Sequence, residues 1–186
     1  MKSFVWTWLA IFGLLSVAQS GQFDEIINRY ASKGALTSKI SVTQISWGET
    51  TEYDGYIAIK GGEFFAGTNE ECYIAKSGTL WLRSGSEKPT PVSVDIPTGN
   101  IREILGEFFG RIEKSYEIKK KVRKNTIKYA CRGLEDSLST LDMIFDRKTL
   151  LPRRIIYYDP ASGTITISFI SPSFSLPPDS LFKLEK

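Results

Sequence analysis

Apolar and polar residues alternate with a period of two through most of this chain. Val92, Val94 and Ile96 alternate with Ser93 and Asp95, and Ile165, Ile167 and Phe169 alternate with Thr164, Thr166 and Ser168. Such alternation predicts half-buried strands. Further short strands are predicted at 38–47, 53–60, 63–66, 71–75, 79–83, 115–123, 126–132, 140–146, 153–159, 163–170 and 181–185. Turn residues punctuate them: Gly48-Glu49-Thr50, Gly61-Gly62, Ser77-Gly78, Asp159-Pro160 and Ser162-Gly163. Within 38–47 the apolar phase shifts between Ile40-Val42 and Ile45-Trp47, which predicts a bulge or a strand buried on both faces.

The period switches to 3.6 in two places. Phe23, Ile26, Ile27 and Tyr30 predict a short amphipathic helix over 23–32, with Gly34 as its stop. Ile101, Ile104, Leu105, Phe108, Phe109 and Ile112 predict a second helix with a wide apolar face, capped by Asn100. Many short strands at regular spacing imply an antiparallel sheet curled into a barrel or part of one, with two or three helices against it. The class is mainly β, of the α+β kind. A sheet that curls without closing leaves a concave apolar face, and the second helix suits it in two ways. It can be a permanent core helix. It can also be a lid that lifts to admit a lipid chain, each buried CH₂ contributing about 0.8 kcal/mol.

The first twenty residues follow another pattern. Lys2 precedes an apolar run from Phe4 to Leu15, and Ala18-Gln19-Ser20 offers small residues where a signal peptidase reads. The run is shorter than the roughly 20 apolar residues of a membrane-spanning helix. The expected organisation is a cleavable signal over 1–20 and a single soluble domain over 21–186. Such a domain works outside the cytoplasm, and about 166 residues suffice for one sizeable core. No cysteine stands at the cleavage site to take a lipid anchor.

Charge adds little: 24 Lys+Arg oppose 21 Asp+Glu, a small excess that argues neither for nor against nucleic acid, and no nucleic-acid partner is expected. The absence of histidine removes Ser-His-Asp and Cys-His mechanisms, His-ligated zinc and the usual near-neutral proton shuttle. No G-x-S-x-G, P-loop, G-x-G-x-x-G or paired C-x-x-C is present, so no cofactor, metal or catalytic residue is expected. The carboxylate pairs Glu70-Glu71 and Glu135-Asp136 read as solvated turn charges. Cys72 and Cys131 are the two cysteines; in an oxidising compartment they can form a disulfide or remain two buried thiols. A bond closing about 60 residues would stabilise the fold by roughly 4 kcal/mol in the chain-entropy model. The stretch from Arg111 to Arg132 holds nine basic residues, among them Lys119-Lys120-Lys121. It reads either as a solvated hairpin whose charges protect a sheet edge, or as a docking patch for an acidic protein or anionic membrane.

Several segments together resemble a known family. Phe23 to Ala31 precedes a strand with Ser41-Val42-Thr43-Gln44, then Gly55-Tyr56-Ile57-Ala58-Ile59-Lys60 and the aromatic pair Phe64-Phe65. Ile74-Ala75-Lys76-Ser77-Gly78-Thr79-Leu80-Trp81 resembles a hairpin that ends in Leu-Trp, and Thr98-Gly99-Asn100 leads into the helix. Leu141 to Phe145, Leu151-Pro152 and Asp159 to Phe169 are similar to the family's later hairpins. Ser180-Leu181-Phe182-Lys183-Leu184 is similar to its terminal strand. The family is the outer-membrane lipoprotein carrier proteins, the LolA-like group.

The resemblance implies an incomplete antiparallel β-barrel with a helical lid over its concave apolar face. It also implies a periplasmic location, a monomer and no enzymatic activity. The implied cargo is lipoproteins, their acyl chains held in the cavity. An inner-membrane ATP-driven transporter would supply them and an outer-membrane receptor would accept them. Trp47, Ile59, Phe65 and Trp81 become candidate barrel lining, and Ile104, Leu105, Phe108 and Phe109 candidate lid or cavity residues. The family often places Arg-Pro after the lysine matching Lys60, and that arginine helps hold the lid. Here Gly61-Gly62 occupies those positions, and Gly67 matches a frequent tryptophan. The missing cysteine near Gly21 favours a freely diffusing carrier over the lipid-anchored receptor. The alternatives are a non-catalytic envelope sensor, scaffold or general lipid binder on the same fold, and, more remotely, a secreted hydrolase using Asp and Glu.

Overall fold

A computed structural model describes residues 21–68, 71–85, 87–92 and 99–184. The proposed signal, Glu70, and Val94 and Ile96 of the strand expected around Val92 lie outside them. Among the described residues, eleven strands form one antiparallel sheet that does not close, and two α-helices pack against it. Helix α1 is Asp24–Lys33. The first hairpins are β1 (Ala35–Ser46), β2 (Glu49–Lys60), β3 (Glu63–Gly67), β4 (Glu71–Lys76), β5 (Thr79–Ser84) and β6 (Thr90–Val92). Helix α2 is Ile101–Ser115, followed by β7 (Tyr116–Val122), β8 (Thr126–Gly133), β9 (Thr140–Asp146), β10 (Pro152–Asp159) and β11 (Gly163–Ser173).

The two meanders join where β1 pairs with β11, so the spatial order is β6-β5-β4-β3-β2-β1-β11-β10-β9-β8-β7. Both edges are blunted against further pairing. One is the three-residue β6, with Pro91 at its centre. The other is β7, which carries Lys119, Lys120 and Lys121. The basic stretch is therefore in part an edge strand. Several of its charges are paired: Lys119 with Glu117, Lys120 with Glu25, and Lys128 with Asp142.

The helices begin and end where side-chain chemistry permits. Asn100 accepts from the Arg102 and Glu103 amides while Glu103 reaches back to the Asn100 amide, a reciprocal capping box. Gly34 ends α1 in the left-handed region, at φ 71°. Tyr30 of α1 donates to the Leu150 carbonyl at 3.0 Å, which ties that helix to the β9–β10 turn.

Three expectations are corrected. The irregularity of β1 lies between Thr37 and Lys39, where Ala35 to Ser38 are all buried, and not between Val42 and Ile45. The first hairpin turn is Trp47-Gly48, one residue earlier than expected. Ser46 pairs with Glu49, and both turn residues have positive φ, the geometry that a two-residue turn between twisted strands requires. Residues 181–184 do not form a strand. Pro177 and Pro178 lack ladder donors, and a 3₁₀ turn at Asp179–Phe182 follows them, burying Phe182 on the sheet.

Candidate functional site

The largest core cluster lies between α1, α2 and one face of the sheet. It includes Phe23, Ile26, Leu36, Ile59, Ile101, Leu105, Phe109, Ile112, Tyr129, Met143 and Phe145. Packing there is incomplete. A cavity of about 270 Å³ remains under α2, bounded by strands from both meanders. Ile57, Ile59, Phe64, Ala75 and Leu80 line it from the first; Leu141, Met143, Phe145, Ile155, Tyr157, Ile167 and Phe169 line it from the second. Helix α2 contributes Ile104, Leu105, Phe108, Phe109, Arg111 and Ile112.

Five of the sequence-predicted residues converge here: Ile59, Ile104, Leu105, Phe108 and Phe109. Phe108 and Phe109 meet edge to face, with ring centroids 5.1 Å apart. The other three do not line the cavity. Trp47 stands at a hairpin tip, 89% exposed. Phe65 and Trp81 lie on the opposite face of the sheet, in a cluster with Ala58, Cys72, Ile74 and Phe182. Register explains this: Ile59 pairs with Phe64 and Ala75 with Leu80, so those four share the cavity face while Phe65 and Trp81 alternate away.

The same alternation separates the cysteines. Cys72 belongs to the far-face cluster on β4, and Cys131 to the cavity-side core on β8, seven places along the sheet. The disulfide that the sequence allows is absent: both are free, buried thiols. Burial pushes Cys72 up and Cys131 up to about 12.

Polar groups gather at the C-terminal end of α2, where Arg111, Ser115, Tyr116 and Tyr157 reach the cavity. Burial raises both tyrosines, Tyr157 to about 12, so their hydroxyls stay protonated near pH 7, and that of Tyr157 is hydrogen-bonded to Asp159. Arg111 pairs with Glu107 one turn back on α2. Its Nε and Nη1 are buried and have no hydrogen-bond partner among the described residues. In sequence Arg111 opens the basic stretch; its i+7 and i+3 relation to Ile104 and Phe108 is the signal that it faces inward. Among the described residues no group of His, Cys, Asp or Glu could hold a metal ion, and no helix is long and apolar enough to cross a membrane.

No family model and no curated protein matches this sequence. Solved structures do match. An uncharacterized conserved protein from Thermus thermophilus superposes at a TM-score of 0.55 with 8% identity, over 87% of this chain and 93% of that one. A Pseudomonas aeruginosa MucA/MucB complex gives 0.52 and 9%, over 88% of this chain and 61% of that one. A LolA superfamily protein from Nitrosomonas europaea gives 0.44 and 10%, over 88% and 98%. What the first two share with this chain is the fold. The unclosed, curled antiparallel sheet under helices is thus an architecture known from other proteins, at identities where nothing finer transfers.

Proposed function

We propose that this chain is an extracytoplasmic carrier that shields the acyl chains of lipoproteins, moving them from the inner to the outer membrane without catalysing a reaction. The observation that supports this is the cavity under α2, whose walls are almost wholly aliphatic and aromatic and which the protein leaves unfilled. A cavity of that lining rewards an apolar occupant at about 25 cal/mol per Å² of apolar surface removed from water. Carriage would proceed by exchange. The empty protein covers the apolar face with Ile104, Leu105, Phe108 and Phe109 of α2, and an acyl chain replaces those contacts when the helix lifts. The lid must then be held by something other than the family's arginine, because Gly61 and Gly62 stand there.

The test is lipid and protein analysis of the chain purified from an envelope fraction. Co-purifying acylated protein or lipid is the expected result. A lasting protein partner with no acyl cargo would instead favour the scaffold reading, for which the fold likeness to MucB, solved with MucA, is the supporting observation.

A further inference from the structure

We infer that Arg111 recognises the ester or amide carbonyl oxygens at the head of an acyl ligand, and that the cavity prefers such esterified chains to hydrocarbons or free fatty acids. The inference deepens the carrier reading and rests on it.

Arg111 is the cavity's only lining residue of formal charge among the described residues. Its side chain is 11% exposed, and its ion-pair partner Glu107 is 19% exposed. One terminal nitrogen, Nη2, is engaged by Glu107 Oε1. Nε and Nη1 are both buried and have no hydrogen-bond partner among the described residues. A guanidinium offers five N–H donors in a fixed fork, and each buried donor left unmade is costly. An apolar residue would fill the same place on α2 without that cost. The donors left unused among the described residues therefore point to an acceptor supplied by a ligand.

The charge balance selects the acceptor. Glu107 already neutralises Arg111, so an incoming carboxylate would meet a like charge beside its partner. A carbonyl oxygen accepts two hydrogen bonds and adds no charge. Ser115, one turn further on α2, and Tyr116 line the same cavity and carry further hydroxyl donors. The rest of the lining, from Ile57 to Phe169, is apolar and suits the chain itself. The arrangement is a polar head position attached to an apolar trough.

The test uses three fluorescent probes that carry the same pyrene-labelled alkyl chain. One ends in a methyl group, one in a methyl ester and one in a carboxylate. The wild-type protein should bind the ester at least about tenfold more tightly than the hydrocarbon, with the carboxylate no better than the hydrocarbon. In Arg111→Leu the preference for the ester over the hydrocarbon should collapse to within about twofold. Glu107→Gln, which leaves the guanidinium charge uncompensated, should make the carboxylate the preferred probe. Displacement of the bound ester by a diacylated lipopeptide or by a diacylglycerol would support the inference and show which source fits. Displacement by neither would overturn it. Equal binding of ester and hydrocarbon by the wild type, or a preference that survives in Arg111→Leu, overturns this inference and leaves the carrier reading standing. Failure to bind any of the three probes overturns both.

Discussion

Phe23 stacks on Phe109, with ring centroids 4.4 Å apart and planes 16° from parallel. Phe23 also packs on Tyr129, at 4.5 Å between centroids, and is wholly buried. The residue just before α1 thus joins helix α2 to strand β8. Aromatic rings thus fasten α2 to the sheet. Phe23→Ala should lower global stability by about 3–5 kcal/mol. Urea unfolding checks this; a loss below about 1 kcal/mol would mean that other contacts hold the helix.

A second fastening is steric. A Cβ built on Gly62 would lie 2.1 Å from the Gly99 carbonyl oxygen, so the β2–β3 turn touches the backbone leading into α2. Because the obstacle is backbone rather than a flexible side chain, Gly62→Ala should displace the start of α2 and cost about 1–3 kcal/mol. Thermal unfolding reads the cost. An unchanged melting temperature would show that the turn and the helix entry move apart freely.

Asp146 organises the β9–β10 turn. Its carboxylate accepts from the Lys148 and Thr149 amides at 3.0 and 2.9 Å, from Thr149 Oγ1, and from Arg153. The Thr149 amide first, then Arg153, hold it well below the usual carboxylate range. A carboxyl depressed in the folded state stabilises above its unfolded pKa, about 4, and that contribution is lost as pH falls through the folded value. Melting temperature should therefore fall more steeply below about pH 4 in the wild type than in Asp146→Asn, the two curves converging in acid. Parallel curves would remove Asp146 from the acid transition.

Neither cysteine should react with an aromatic disulfide reagent in the native protein at pH 8. Cys72 and Cys131 are buried, and the raised thiol of Cys131, at about 12, leaves almost no thiolate. Both should be labelled once the chain is unfolded without reductant. Native mass lower by two hydrogens, or unfolded chains that resist labelling, would contradict the free-thiol structure.

Much of the fold was legible because one side of the sheet is buried and the other is less so. Ile165 and Ile167 of β11 are buried while Thr164, Thr166 and Ser168 are not, and the alternation announced the strand. Helix α2 was legible for the same reason, from its apolar stripe and Asn100. The lining of the cavity was legible only in part. Between β2 and β5 both faces are covered, one by α2 and one by Phe182, so neighbouring apolar residues gave no side to choose. Phe64 and Phe65 look alike in sequence, yet the two-residue Gly61-Gly62 turn forces Ile59 opposite Phe64, and that register assigns the pair. Trp47 is apolar but stands on a turn beyond the covered area. The inward face of Arg111 was obscured by the lysines that follow it, which belong to an exposed edge strand.

Narrowing the cavity should weaken ligand binding without unfolding the protein. Ala75 lines the cavity next to Leu80, and Ala75→Phe adds a ring into the unfilled space. The affinity for an apolar fluorescent probe should drop about tenfold or more, with a stability change within about 3 kcal/mol of the wild type. Unchanged affinity would place the probe elsewhere on the molecule.

The central claim is tested most directly by competition. An apolar dye bound to the purified protein is titrated with a synthetic diacylated lipopeptide, and in parallel with the same peptide lacking its acyl chains. Displacement by the lipidated peptide alone, and its loss in Ala75→Phe, is the result predicted for a carrier whose cavity under α2 holds acyl chains. No dye binding, or equal displacement by both peptides, would contradict it.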